Sequence, residues 1–124
     1  PDALILFNPM LLLSLGGRRA EEFSPLDRLK QPLPPTLLMH GTADRVSAFA
    51  LAQGFVRRAR DLGSARIELV SYAGRGHGFF NYGNGGNADY RLSLAQTIGF
   101  LESLGYFPPE AARPPAGCGS APRQ

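Results

Sequence analysis

Apolar residues occur along this chain in two alternating patterns, and the first of them predicts strands. Residues 3–7 and 36–40 are short, nearly continuous apolar runs bounded by proline and glycine, which is typical of strands buried on both faces of a parallel sheet. Residues 66–72 form a third run and contain β-branched residues, which strands favour. We therefore expect three buried strands.

The second pattern is the spacing of amphipathic helices. Residues 48–62 and 88–104 each carry apolar side chains at helical intervals, and each stretch is followed by a glycine that can end a helix in the left-handed conformation. The apolar positions are Phe49, Ala52, Phe55, Val56, Ala59 and Leu62 in the first stretch, and Tyr90, Leu94, Ile98, Leu101 and Leu104 in the second. We expect both helices to pack these positions against the strands.

Strands and helices that alternate in this way predict an α/β fold, in which three parallel strands lie in sequence order with helices packed on the sheet. Ser24 and Pro25 suit the cap and first turn of a short helix over 25–30, between the first two strands. From Pro108 onward the chain has five prolines, two glycines and no apolar periodicity. We therefore predict one domain over 1–107 and a disordered tail over 108–124.

Composition narrows the class of protein. A chain of 124 residues with 44% apolar and 19% charged residues fits a single globular domain, and its longest apolar run, 10–15, is far shorter than a membrane span. The net charge of +3 rests almost wholly on arginines spread along the chain without interleaved aromatics, so we expect no nucleic-acid partner. Cys118 has no partner for a disulfide or a metal site and receives no function. No signal peptide is recognisable, and the sequence predicts no compartment.

Candidate chemistry lies just past two of the predicted strands. Asp44 follows the second strand and His77 the third, and in a parallel α/β sheet the loops at the carboxyl ends of the strands converge on the ligand site. An aspartate that orients a histidine, and a histidine that takes a proton from a nucleophile, are two members of a catalytic triad. Their order along the chain, acid before base, is that of the α/β-hydrolase fold. Glycines on both sides of His77 give its loop backbone freedom.

Four segments resemble α/β-hydrolase esterases, and the resemblance covers about residues 1–107. "PPTLLMHGTADRVS" is similar to their acid-bearing strand and loop, and "YAGRGHGFFN" is similar to their histidine loop. "FLESLGYF" resembles their closing helix, and "PDALILFNP" resembles the strand after the nucleophile. The nearest families are carboxylesterases of the hormone-sensitive-lipase and acetyl-xylan-esterase kind.

This resemblance implies a serine hydrolase that acts on small carboxylic esters and needs no cofactor or metal, with Asp44 as the acid and His77 as the base. Such enzymes carry their nucleophile in Gly-x-Ser-x-Gly and an oxyanion loop with His-Gly-Gly, and neither motif occurs here. We therefore expect the carboxyl-terminal portion of the fold, with the nucleophile half absent and the chain inactive by itself. Because the first strand would normally pair with the nucleophile strand, its free edge predicts self-association of the isolated chain.

Several alternatives stay open at this point. The same two loops occur in serine hydrolases of the prolyl-peptidase type, and a noncatalytic half-domain with an interaction or structural role would show the same pattern. Asp44 could instead cap the helix that follows it. His40 is interpreted as a structural residue whose ring is hydrogen-bonded near the strand end, although His40, Asp44 and His77 together could be considered as ligands of a non-haem iron. Phe79 and Phe80 are expected in the core.

Overall fold

The computed structural model describes residues 1–107 of the chain. Its main sheet has three parallel strands, β1 (Leu4–Phe7), β4 (Thr36–Gly41) and β5 (Ile67–Tyr72), with β4 in the centre. The registers pair residue 4 with 36 and residue 36 with 67. The predicted α/β class, the strand positions and the parallel order are therefore confirmed, and the predicted tail over 108–124 lies outside the described residues.

The remaining elements lie between these strands or follow the last of them. They are the short antiparallel strands β2 (Ser14–Leu15) and β3 (Arg18–Arg19), the helices α1 (Pro25–Arg28), α2 (Phe49–Asp61) and α3 (Ala88–Ser103), and a 3-10 turn at Asn84–Asn87. Helix α1 is shorter than the predicted 25–30, and it ends where Leu29 turns to an extended conformation. Helix α2 ends at Asp61, and Gly63 just beyond it has a φ of 94°, the left-handed stop expected there. Among the described helices, none is both long and apolar enough to cross a lipid bilayer.

The core lies on both faces of β4, which is buried along its whole length. Leu38 faces one layer and packs with the buried face of α2, whereas Leu37 and Met39 face the other layer with Tyr72 and Phe79. The buried residues of α2 are Ala52, Phe55, Val56 and Ala59, all of them predicted. Because both faces of the sheet are covered, β4 is a continuous apolar run rather than an alternating one.

The predicted face of α3 is wrong in part. Leu94 and Ile98 are 44% and 36% exposed, whereas Phe100, which the spacing did not select, is 4% exposed in the second core layer. Apolar residues occur around much of this helix, so their period alone does not single out one face. The large ring of Phe100 takes part in the contact of α3 with the core. The guanidinium of Arg66 lies 4.8 Å from the centre of this ring.

Strand β1 is the edge of the main sheet. It pairs with β4 on one side, and among residues 1–107 no strand pairs with its other side. An apolar groove of about 310 Å³ lies beside it. Its apolar lining consists of Leu4, Leu6, Pro9, Leu11, Pro25, Leu29, Leu33 and Phe55. A free strand edge next to an apolar groove favours association, and self-association of the isolated chain stays a prediction.

Candidate functional site

Asp44 lies on the loop that follows β4, and its carboxylate is fixed by the backbone. The side chain has no exposed surface, and Oδ1 accepts hydrogen bonds from the N–H groups of Val46 at 2.8 Å and Ser47 at 3.0 Å. These two bonds are the local turn that aspartate favours ahead of a helix. They hold the carboxylate in one orientation, with Oδ2 directed away from its own loop.

His77 lies on the loop that follows β5, and its Nδ1 is 2.8 Å from Oδ2 of Asp44. Since an ionised carboxylate only accepts hydrogen bonds, Nδ1 carries the proton and donates it. The neutral ring is then held in the tautomer in which Nε2 is an acceptor. The imidazole is 42% exposed, whereas the carboxylate is buried. The structure thus brings together the two side chains that the sequence singled out, with the imidazole on the solvent side.

The pKa of Asp44 lies below its ordinary value of 3.8. Burial by itself raises the pKa, but the hydrogen bond from His77, the two backbone N–H groups and the charge of a protonated His77 together lower it by more. The carboxylate is therefore ionised at neutral pH.

This lowered pKa predicts how stability depends on pH. A group whose pKa is lower in the folded state stabilises the protein above its unfolded pKa, and this contribution is lost as the pH falls through the folded pKa. We expect the stability of the parent relative to Asp44→Asn to decline as the pH falls below the ordinary value of 3.8. Urea denaturation of both proteins between about pH 6 and pH 2 measures this difference. A difference that stays constant, or that grows toward acid pH, would contradict the lowered pKa.

His40 is buried at the end of β4 behind Asp44. Its Nδ1 is 3.0 Å from the carbonyl oxygen of Gly41, which agrees with the expected hydrogen bond near the strand end. Its Nε2 is 3.9 Å from Oδ2 of Asp44 and has no hydrogen-bond partner among residues 1–107. Within residues 1–107, no three or more metal-ligating side chains are arranged so that they could hold a metal ion. This applies also to the set of His40, Asp44 and His77.

Gly41 is a site residue that the sequence analysis did not single out. A Cβ atom at this position would lie 2.2 Å from the carbonyl oxygen of Arg75 and 2.9 Å from that of Gly76, on the His77 loop. The end of β4 therefore approaches this loop more closely than any side chain allows. The signal in the sequence was the glycine directly after His40, but only the fold shows which backbone it meets.

Gly41→Ala is expected to lower the free energy of unfolding by about 1–3 kcal/mol, because the methyl group forces the backbone of the His77 loop outward. Gly54→Ala is the matched control, since Gly54 lies inside α2 with open space at the Cβ position. That change is expected to raise stability by about 0.5–1 kcal/mol through helix propensity. Chemical denaturation of the two variants measures both effects. Equal stability of Gly41→Ala and the parent would show that the loop moves at no cost.

A cleft of about 390 Å³ adjoins the imidazole and is lined by the His77 loop, by Asn84 and Gly85 of the 3-10 turn and by Asp89 of α3. One wall is tied together by an ion pair of 2.6 Å between Arg75 Nε and Asp89 Oδ2. Phe79 also lines this cleft while its ring is buried in the core, and Phe80 is half-buried against the same layer. Both phenylalanines thus pack in the second core layer, as the sequence predicted, although Phe79 also borders a cleft with room for a small molecule.

Comparison with known proteins places this chain in a family. The model of the prolyl oligopeptidase family matches residues 16–104, which include both loops. The chain belongs to the prolyl oligopeptidase family. Esterase LipC from Mycobacterium tuberculosis is 36% identical to it over 56 residues, which are 45% of this chain and 14% of LipC.

Solved structures extend the comparison of this family member to the fold. The native esterase Est2 from Thermogutta terrifontis superposes with a TM-score of 0.77 at 34% identity, over 88% of this chain and 44% of that one. The same esterase phosphorylated by paraoxon gives a TM-score of 0.79 at 38% identity, over 88% and 42%. The resemblance to α/β-hydrolase esterases is confirmed, and the relatives are serine hydrolases of the esterase kind. The chain spans less than half the length of the esterases it matches.

Proposed function

We propose that this chain supplies the general base, His77, and the acid, Asp44, of a Ser-His-Asp triad in a carboxylic ester hydrolase. The observation that carries the proposal is the bond of 2.8 Å between His77 Nδ1 and Asp44 Oδ2, with the acid buried and the base facing a cleft. The printed sequence holds no Gly-x-Ser-x-Gly turn. The nucleophilic serine is therefore expected to come from residues outside it, in the part of the fold to which the esterase relatives extend.

In the proposed mechanism each atom of the pair has a role that this geometry supports. His77 Nε2 accepts the proton of the serine hydroxyl while its oxygen attacks the ester carbonyl, and the tetrahedral intermediate forms. Nε2 then gives this proton to the departing alcohol, which leaves an acyl-enzyme, and the same cycle with water releases the acid. Asp44 stays ionised throughout, holds the tautomer and stabilises the imidazolium. Its buried position and its lowered pKa suit that role.

We propose esters with short acyl chains as the substrates, because structures of the Thermogutta esterase are described with propionate and with butyrate bound. A cleft of about 390 Å³ is compatible with small ligands of this size. The second candidate is a peptidase that cleaves after proline, and the match to the prolyl oligopeptidase family favours it.

One pair of substrates separates the two candidates. The full-length protein is assayed with p-nitrophenyl butyrate and with a peptide p-nitroanilide that carries proline before the scissile bond. We expect rapid hydrolysis of the ester and little release of p-nitroaniline from the anilide. Cleavage of the anilide in preference to the ester would favour the peptidase. Turnover of neither substrate by folded full-length protein would favour a noncatalytic half-domain.

A further inference from the structure

One buried side chain joins the three segments that meet at the site. Asn8 directly follows β1 and is 2% exposed. Its Nδ2 donates hydrogen bonds to the carbonyl oxygens of Gly76 at 3.0 Å and His77 at 2.6 Å. Its Oδ1 accepts a hydrogen bond from the N–H of Gly41 at 2.8 Å. The ends of β1 and β4 and the loop of His77 are thus fastened to each other through a single amide.

The chemistry of the partners fixes the orientation of this amide. Two carbonyl oxygens need a donor, and the N–H of Gly41 needs an acceptor, so a rotated amide would face like groups on both sides. Few other side chains of this size offer donors on one side and an acceptor on the other. Aspartate in its ionised form would keep the bond to Gly41 and lose both bonds to the His77 loop.

The backbone of Asn8 is also unusual. Its φ is 39°, in the left-handed region, where asparagine is the commonest residue type after glycine. Such conformations persist where the surrounding structure determines them, and they cluster at functional sites. At Asn8, the left-handed turn directs the amide from the end of β1 toward the neighbouring loops.

Pro9, the next residue, binds the loop of Asp44. The carbonyl oxygen of Pro9 accepts a hydrogen bond of 2.8 Å from the hydroxyl of Ser47, whose N–H in turn donates to Asp44. The segment of Asn8 and Pro9 therefore binds the loop of the base on one side and the loop of the acid on the other. The relative position of these two loops sets the bond between Nδ1 and Oδ2.

We propose that Asn8 is a positioning residue, which holds the backbone of His77 at the distance that Asp44 requires. The inference rests on the proposed function, since it assigns a support to the proposed base. His77 depends on such support because glycines flank it and because its ring is partly exposed. Asn8 itself is buried and acts only through the His77 loop.

Two glycine variants form a matched pair for the test. Asn8→Gly removes the amide, and glycine adopts the left-handed backbone without strain. Asn87→Gly does the same at the other left-handed asparagine among residues 1–107, which accepts a hydrogen bond from the N–H of Gly83 and makes none to the His77 loop. Both are made in the full-length protein and assayed with p-nitrophenyl butyrate, alongside His77→Ala.

We expect Asn8→Gly to lower kcat by on the order of 10²-fold with KM nearly unchanged, as for a catalytic group displaced by about 1 Å. Asn87→Gly is expected to keep the parent kcat. The low-field NMR signal of the His77 Nδ1 proton, which reports the bond to Asp44, should weaken or shift in Asn8→Gly and stay in place in Asn87→Gly. A residue with a merely structural role would lower the melting temperature without moving this signal.

Each result decides the inference. If His77→Ala keeps its kcat, the proposed function is wrong and the role of Asn8 is wrong with it. If His77→Ala is inactive while Asn8→Gly keeps the parent kcat and the parent signal, only the role of Asn8 is overturned. Should Asn8→Gly fail to fold, Asn8→Asp replaces it, because it keeps the bond to Gly41 and places a carboxylate oxygen against the two carbonyls of the loop. Parent activity in Asn8→Asp would then contradict the inference.

Discussion

Replacement of His77 by alanine in the full-length protein is expected to lower kcat for a short-chain aryl ester by on the order of 10³-fold or more. In the proposed mechanism the imidazole accepts the serine proton, and no other histidine lies on the solvent side of Asp44 among the described residues. The fold should be unaffected, because the ring is 42% exposed and belongs to a loop rather than to a strand or helix. Steady-state kinetics with a melting curve tests both parts.

His40→Gln is the matched control, since His40 is the second of only two histidines in the chain. Its ring is buried and its Nδ1 contacts the backbone, so we expect the change to affect stability more than chemistry. The kcat should stay within roughly tenfold of the parent. If His40→Gln abolishes turnover while His77→Ala keeps it, the base has been assigned to the wrong histidine.

Asp44→Asn is expected to cause a loss of the same order as His77→Ala. An amide can still accept from the N–H groups of Val46 and Ser47, so the loop should keep its shape. It cannot bear the counter-charge for the imidazolium, and it can present a donor to Nδ1, which favours the wrong tautomer.

The double variant of Asp44 and His77 distinguishes a triad from two independent effects. Members of a triad act as a unit, and their losses are strongly non-additive. We expect the double variant to be scarcely slower than either single one. The N-cap of α2 is Ala48, without a side-chain cap bond, so Asp44 is not the cap of that helix. Losses that multiply would indicate that Asp44 supports its own loop through the bonds from Val46 and Ser47 rather than the imidazole.

The sequence was sufficient to predict those strands and helices whose buried side produces a regular spacing of apolar residues. Strand β4 is a continuous apolar run because both of its faces are covered, and α2 shows one apolar stripe because only one side of it meets the sheet. The face of helix α3 was predicted wrongly only in part. Leu101 and Leu104 pack against the second core layer as predicted. Leu94 and Ile98 continue the period but are exposed, whereas Phe100 is buried.

Only the proposed acid and base of the candidate site, which lie on loops that follow predicted strands, could be predicted from the sequence. Asp44 and His77 could be selected because they follow adjacent buried strands, where loops converge. Asn8 and Gly41 could not be selected in this way. Asn8 matters because of its left-handed backbone, and Gly41 matters because the end of β4 closely approaches the His77 loop. Neither feature leaves a pattern of apolar and polar residues in the sequence.

The two-residue strands β2 and β3 were not predicted either, because so short a pair has no period. Their turn contains two adjacent glycines with positive φ, at 16 and 17. Such pairs mark turns without indicating which flanking residues will form strands.

The central claim, that His77 and Asp44 activate a serine nucleophile, is tested most directly by the reaction of the full-length protein with paraoxon, which phosphorylates the Thermogutta esterase. Mass spectrometry locates the phosphorylated residue, and loss of esterase activity gives the rate of labelling. We predict a single labelled serine outside residues 1–124, with labelling in His77→Ala and Asp44→Asn slowed by on the order of 10³-fold. A label on a residue within the printed sequence, or equal labelling rates in the parent and both variants, would contradict the account.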